Sequence, residues 1–370
     1  MPNRKPLEVT SYEVLGKLPD LFTFENGERV KTKEDWQNRK KELYKTAVEL
    51  QYGKLPPPPE VFKVETLYVG QSHRSYKIYA GSKEKQVSFL MKVILPTGVE
   101  KCPVIVDGDL CFGYAFDKDW LNAALNEKIG WAFFDRTELA HDICGEGRRK
   151  GALYEVYPDY DFGAIGAWAW GYSRCVDALL ELGLVDPNYI VFTGHSRGGK
   201  TAMLAGAIDD RANIVNPNET CAGSASCYRI HMSVNCDWPN RSETLKDLLT
   251  NFPFWMGEGM KEYAEKEAEL PFDAHFIKAM VAPRTLFLSE SADDIWSNPL
   301  GSYQTTMAAK QAFKFLNAEE NIYWYFRDGF HSHALQDVQM LVNLIKHKKD
   351  GTPLSQDFYR APFALPDPIY

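Results

Sequence analysis

The sequence predicts an α/β fold: a mostly parallel central sheet with helices on both faces, a three-layer sandwich. Three observations predict it. Between about residues 100 and 350, short β-branched and aromatic runs alternate with helical stretches, the pattern of strands joined by helical crossovers. Pro103-Val104-Ile105-Val106 and Thr285-Leu286-Phe287-Leu288 read as short strands buried in such a sheet. The run Tyr189-Ile190-Val191-Phe192-Thr193 passes straight through Gly194-His195-Ser196-Arg197-Gly198 into a helical stretch, Thr201 to Ala207. Strand, sharp turn and helix around G-x-S-x-G form a nucleophile elbow, which narrows the class to the α/β-hydrolase fold.

In chain order, residues 1–60 read as an accessory segment outside the sheet. A helix runs from Lys33 to about Leu50, Gly53 stops it, and Pro56 to Pro59 make a stiff lead-in. Residues 61–370 then form a single catalytic domain. Val61 to Pro96 alternates as antiparallel first strands, and strands at 103–108 and 131–136 have ends suited to supply a backbone N–H to an oxyanion hole. Residues 138–164, polar and rich in Gly and Tyr, suggest a long functional loop. A helix from Ala164 to Leu184 precedes the elbow strand. Residues 218–225 make a small-residue loop, and 228–260 read as an irregular insertion whose aromatics (Trp238, Phe252, Phe254, Trp255) shape a pocket. A strand at 284–290 ends at Ser291-Ala292-Asp293-Asp294, a helix follows at 308–316, and the last strand, 321–326, delivers Arg327 to His333 ahead of a helix at 334–347.

Composition limits the partners. A net charge of −8 and a pI near 5.6 argue against nucleic acid. No run of 18 apolar residues appears, so no membrane partner is expected. The polar start lacks an apolar h-region, which leads to an expected cytoplasmic location, or a secreted one if a leader has been removed. The 7 cysteines form no C-x-x-C pair and read as reduced structural residues, with one disulfide among Cys221, Cys227 and Cys236 as the alternative.

A serine needs a base within hydrogen-bond reach and an acid to orient that base, in the chain order Ser, acid, His. Ser196 is the nucleophile. His331, after the last strand and the turn at Gly329, is the base, with His333 as its rival. Glu219, on the loop after the strand that follows the elbow helix, and Asp294 (or Asp293), at the next strand end, both suit the acid, and chemistry alone leaves that choice open. Arg197 stands at a helix start, where the helix dipole disfavours a cation, which suggests a partner for an oxyanion or a carboxyl group. Lys200, one turn on, would add a second positive charge to the same pocket. The remaining histidines lack paired metal spacing, so no metal or other cofactor is expected.

These residues resemble those of the glucuronoyl esterases, carbohydrate esterase family fifteen. The segment Gly194-His195-Ser196-Arg197-Gly198-Gly199-Lys200-Thr201-Ala202 is similar to that family's G-(C/H)-S-R-x-G-K-x-A elbow. Pro217 to Arg229 resembles its segment around the acidic residue, Leu270-Pro271-Phe272-Asp273-Ala274-His275 with Ala282-Pro283-Arg284 its L-P-F-D-x-H…A-P-R run, and Gly329 to His333 its G-G-H-x-H. The likeness spans roughly residues 20–345. It implies Ser196 as nucleophile, His331 as base and Glu219 as acid, with Asp294 in reserve. It also implies Arg197 at the oxyanion and Lys200, Trp296 and Arg229 at the substrate. Two departures bear on the sugar: the family's glucuronate-holding Gln and Glu have no clear matches between Asn240 and Phe254, and Phe330 replaces a Gly.

The expected function is a serine carbohydrate esterase acting through an acyl-enzyme on glucuronic acid esters, the kind that link lignin alcohols to xylan. An acetyl- or other acyl-sugar esterase is the alternative, and a hydrolase fold used only for binding is the third reading. The expected partner is a small carbohydrate ester or oligosaccharide; the oligomeric state is not readable from the chain.

Overall fold

The computed structural model describes residues 9–113, 116–235 and 240–370; the first eight residues, Cys236 and Trp238 lie outside them. In chain order the strands are β1 (Val9–Val14), β2 (Val61–Val69), β3 (His73–Gly81), β4 (Gln86–Ile94), β5 (Cys102–Asp107) and β6 (Gly130–Phe134). Then follow β7 (Val185–His195), β8 (Ile214–Asn218), β9 (Ile230–Val234), β10 (Thr285–Ser291) and β11 (Ile322–Arg327). Nine of them make one sheet in the order β11-β10-β8-β7-β5-β6-β4-β3-β2. From β11 to β6 every neighbouring pair is parallel; β4, β3 and β2 add an antiparallel end.

The helices are α1 (Lys33–Leu43), α2 (Leu50–Tyr52), α3 (Lys118–Leu125), α4 (Ala152–Val156), α5 (Ala164–Glu181), α6 (Arg197–Ile208), α7 (Leu245–Asn251), α8 (Ala274–Ala279), α9 (Pro299–Phe315) and α10 (Leu335–Asp350). Because side chains alternate across a strand, each central strand feeds two cores. Val104, Val106, Ala132 and Phe134 pack toward α5, α6 and the N-terminal helices. Ile105, Trp131, Phe133 and Val191 pack toward α3 and α10 on the other face. That double burial is why these strands read as continuous apolar runs. It gives the predicted three layers of an α/β-hydrolase.

The N-terminal segment is woven into this body. Thr32 and Asp35 form a capping box that starts α1, a π-helical turn (Tyr44–Glu49) joins α1 to α2, and Gly53, at φ 80°, ends the run. Trp36, Leu43, Ala47, Val48 and Tyr52 are buried in the larger core, and Tyr52 Oη donates to the Gly223 carbonyl at 2.8 Å. β1, not anticipated from the sequence, pairs antiparallel with β9. The loop expected at 138–164 contains α4. α9 starts nine residues before the expected 308, because Asn298, at φ 58°, accepts the Gly301 N–H and Pro299 fits the first helical position.

At the other end, β2 is an edge strand with a bulge between Thr66 and Tyr68, and Leu67, Tyr68 and Val69 are exposed. Among the described residues no disulfide forms, and no helix is long and apolar enough to cross a membrane.

Candidate active site

β5 is the first strand of the parallel portion, and the chain adds β6 on one side of it and β7 on the other. Such a reversal opens a crevice at the carboxyl ends of the strands. The β7–α6 turn lies there. Ser196 links them at φ 57° and ψ −118°, a region costing a non-glycine residue about 1–3 kcal/mol. The turn is held from below by Asp109, just past β5. Its Oδ2 accepts the His195 N–H at 2.8 Å and its Oδ1 accepts from Arg136 Nη1 at 2.5 Å. A Cβ at Gly198 would run into that carboxylate, which explains the glycine. The first-turn N–H groups of α6 have no intrahelical partner, so the helix start beside Ser196 suits an anion.

His331, on the loop after β11, lies alongside. Its ring centroid is 4.6 Å from that of His195, and its Nδ1 is 2.6 Å from Asp294 Oδ2. Asp294 is 1% exposed and also accepts from the Ser297 hydroxyl. Burial works to raise its pKa, but the hydrogen bond and charge of His331, with help from Glu219 and Ser297, outweigh it and hold Asp294 down at about 2.

Glu219, the first choice for the acid, does not meet His331. Its Oε1 accepts from Arg327 Nη2 at 3.0 Å. Burial, then the adjacent Asp294 carboxylate, push its carboxyl well above the usual range against the pull of Arg327. The reason is steric order: β10 and its turn put Asp294 between Glu219 and the imidazole. Arg327, which sequence reasoning passed over, grips the loop of His331. It donates to the Phe330 and Ser332 carbonyls on either side of that residue and, through Nε, to both Asp337 oxygens at 3.1 and 2.9 Å. A cation closing a buried strand was the available signal.

The rival histidine is a packing residue. His333 is buried edge-on to Trp120 at 5.0 Å, and burial followed by the neighbouring His195 holds its pKa well below the usual value, so it stays neutral. His195 is neutral too. Asn218 Nδ2 donates to the Ser289 carbonyl, leaving Oδ1 to accept from His195 Nδ1 at 2.6 Å; burial, then His331, lower the His195 pKa to about 3. Asp293 turns away and accepts the Gly329 N–H at 2.8 Å.

Two expected substrate contacts are corrected by the structure. Lys200 is 2% exposed, and its ammonium group donates to the Thr220 and Ala222 carbonyls and to Glu243, bracing the turn that carries Glu219 and Cys221 in left-handed backbone. Arg229 is equally buried and spends its guanidinium on Asp273 and the Phe272, Leu270 and Ala268 carbonyls. Both motifs are internal struts. Nor do the β5 and β6 ends offer free N–H groups: that of Gly108 goes to Tyr172 Oη at 2.9 Å, that of Asp109 to Asp107 at 2.7 Å and that of Arg136 to the Gly108 carbonyl at 3.3 Å. Trp296, two residues past Asp294, is half-buried with the Arg241 guanidinium 5.9 Å over its ring.

Arg197 lies 26% exposed over the Trp255 ring at 4.7 Å and donates to Asp142 at 3.1 Å. Cys221, Asp294 and His331 are the described residues' one group with metal-ligand atoms within 4.8 Å of one another, but the Asp294 and His331 atoms are engaged with each other.

The sheet and the elbow at its switch point define an α/β-hydrolase. A family model described as "Glucuronyl esterase, fungi" matches residues 78–317. The chain is 30% identical over 327 residues to 4-O-methyl-glucuronoyl methylesterase of Podospora anserina, covering 87% of this chain and 64% of that one. The enzyme of the same name from Hypocrea jecorina is 32% identical over 325 residues, 86% of this chain and 66% of its own. The chain thus spans just under two thirds of these relatives' length. A solved glucuronoyl esterase of carbohydrate esterase family 15 from Caldicellulosiruptor kristjansonii superposes with a TM-score of 0.83 at 29% identity, covering 96% of both chains. The chain belongs to the glucuronoyl esterase family.

Proposed function

We propose that this protein hydrolyses esters of glucuronic acid, of the 4-O-methyl-glucuronoyl type, through an acyl-enzyme on Ser196. One observation carries the reading: the charged Asp294 carboxylate meets His331 Nδ1 at 2.6 Å beside the elbow. Asp294 then holds the Nδ1 proton, leaving Nε2 to take the Ser196 proton as Oγ adds to the ester carbonyl. The tetrahedral oxyanion is met by the N–H groups that start α6 and by Arg197. His331 returns its proton to the departing alcohol; water, activated the same way, releases the acid. Glu219, its carboxyl pushed up by burial and bonded to Arg327, backs Asp294 instead of touching the base. Trp296 is the aromatic ring assigned to stack on the sugar. The names of the relatives, and a superposition that covers 96% of a solved glucuronoyl esterase, support glucuronate as the acyl part.

The test is hydrolysis of benzyl glucuronate beside acetylated xylo-oligosaccharides, with Ser196→Ala as control. Benzyl alcohol release that the variant lacks is expected. Acetate release alone would shift the substrate to acyl sugars, and no Ser196-dependent turnover of either would overturn the esterase reading.

A further inference from the structure

Arg197 is a flexible side chain next to the nucleophile, and its value to an oxyanion depends on where its guanidinium is held before substrate arrives. The holding is done by a residue on the segment between β6 and α4. Asp142 is 7% exposed and fixed on three sides: Oδ1 accepts from Trp255 Nε1 at 3.0 Å, and Oδ2 accepts from Arg197 Nη1 at 3.1 Å and Arg136 Nη2 at 3.2 Å. Arg136 is itself held on several sides. It is fully buried, bonded to Asp109, and faced by the Phe112 and Trp168 rings, each at 4.8 Å. The Arg197 guanidinium rests on Trp255 at 4.7 Å and Phe252 at 5.1 Å, two rings stacked 3.9 Å apart and 3° from parallel. An unbroken line, Asp109–Arg136–Asp142–Arg197, therefore joins the backbone of the elbow to the partly exposed guanidinium beside it.

The charges are as informative as the distances. Asp142 shares one oxygen between two arginines while Asp109 carries part of the Arg136 charge. Arg197 is thus steered without being fully neutralised, and its remaining N–H groups stay available to a developing oxyanion.

We propose that Asp142 is the positioning residue for Arg197, setting its guanidinium in the place and plane that the transition state needs. This rests on Arg197 serving the oxyanion, as set out above. The test is a double-mutant cycle on benzyl glucuronate with Asp142→Asn, Arg197→Ala and the pair. Arg197→Ala is expected to lower kcat about 100-fold. Asp142→Asn is expected to lower kcat at least tenfold with KM changed less than about threefold, and to add less than about twofold once Arg197 is gone. Asp142→Glu keeps the charge facing Arg136 and moves the carboxylate by one methylene; it guards against misfolding of the amide variant and is expected to lose about tenfold in kcat. Wild-type kcat in Asp142→Glu or Asp142→Asn, or losses that multiply with Arg197→Ala, would overturn the positioning role while leaving the esterase reading intact. Wild-type kcat in Arg197→Ala would instead overturn the role of Arg197 itself.

Discussion

Two carboxyl groups stand behind His331, and their protonation separates their roles. Asp294 is charged down to about pH 2, whereas burial beside that charge keeps Glu219 protonated above the ordinary carboxylate range. An anion touching Nδ1 stabilises the imidazolium that forms during turnover; a neutral neighbour adds mainly hydrogen bonding. Asp294→Asn should therefore lower kcat by about 10³ or more, since the amide leaves the imidazole in the wrong tautomer. Glu219→Gln, which keeps a hydrogen-bonding group beside Arg327, should cost about tenfold or less. Steady-state kinetics of the two variants decide it, and the reverse order would return Glu219 to the role of acid.

Strands and helices were legible wherever one segment carries its own pattern. The buried runs of β5, β7, β10 and β11, the glycines of the elbow and the amphipathic α10 all announce themselves locally. What needs a distant partner did not. β1 reads as nothing in particular because its mate, β9, lies more than two hundred residues on in an aperiodic stretch. Both acids sit at strand ends, and only the turn after β10, with Ser297 bonded to Asp294, decides which one reaches His331. Lys200 and Arg229 stand in site motifs, yet the direction of their side chains is set by the carbonyls folded around them. The N-terminal segment shows the same limit. It reads as an accessory piece, but Trp36 is fully buried and touches Phe22 and Phe315 with its ring. Trp36→Ala should cost about 3–5 kcal/mol, seen as a shift of a single cooperative urea transition. A separate early transition with the main one unmoved would mark residues 1–60 as an independent unit.

Across the whole molecule, buried neutral histidines set the acid limit. His195 is held at about 3, His275 at about 4 and His333 well below the usual value, burial being the main cause in each. Unfolded histidines titrate near 6.5, so below that pH the unfolded chain takes up protons that the native state refuses. Stability is then complete above about pH 6.5 and falls as pH drops, by about 1.4 kcal/mol per unit for each such residue. Asp294 adds its own loss only between about pH 4 and 2. Replacing one histidine, His333→Phe, should make the drop in unfolding free energy between pH 7 and 5 smaller by about 2 kcal/mol, and an unchanged drop would show that His333 is not held neutral. The free edge of the sheet matters under other circumstances. β2 presents an unpaired backbone beside exposed Leu67, Tyr68 and Val69, and what discourages a second molecule from extending the sheet there is the bulge at Thr66/Tyr68 and the charges of Lys63 and Glu65. Cloudiness in a concentrated stock would then report on the guard of this one strand, and not on the chemistry of the crevice.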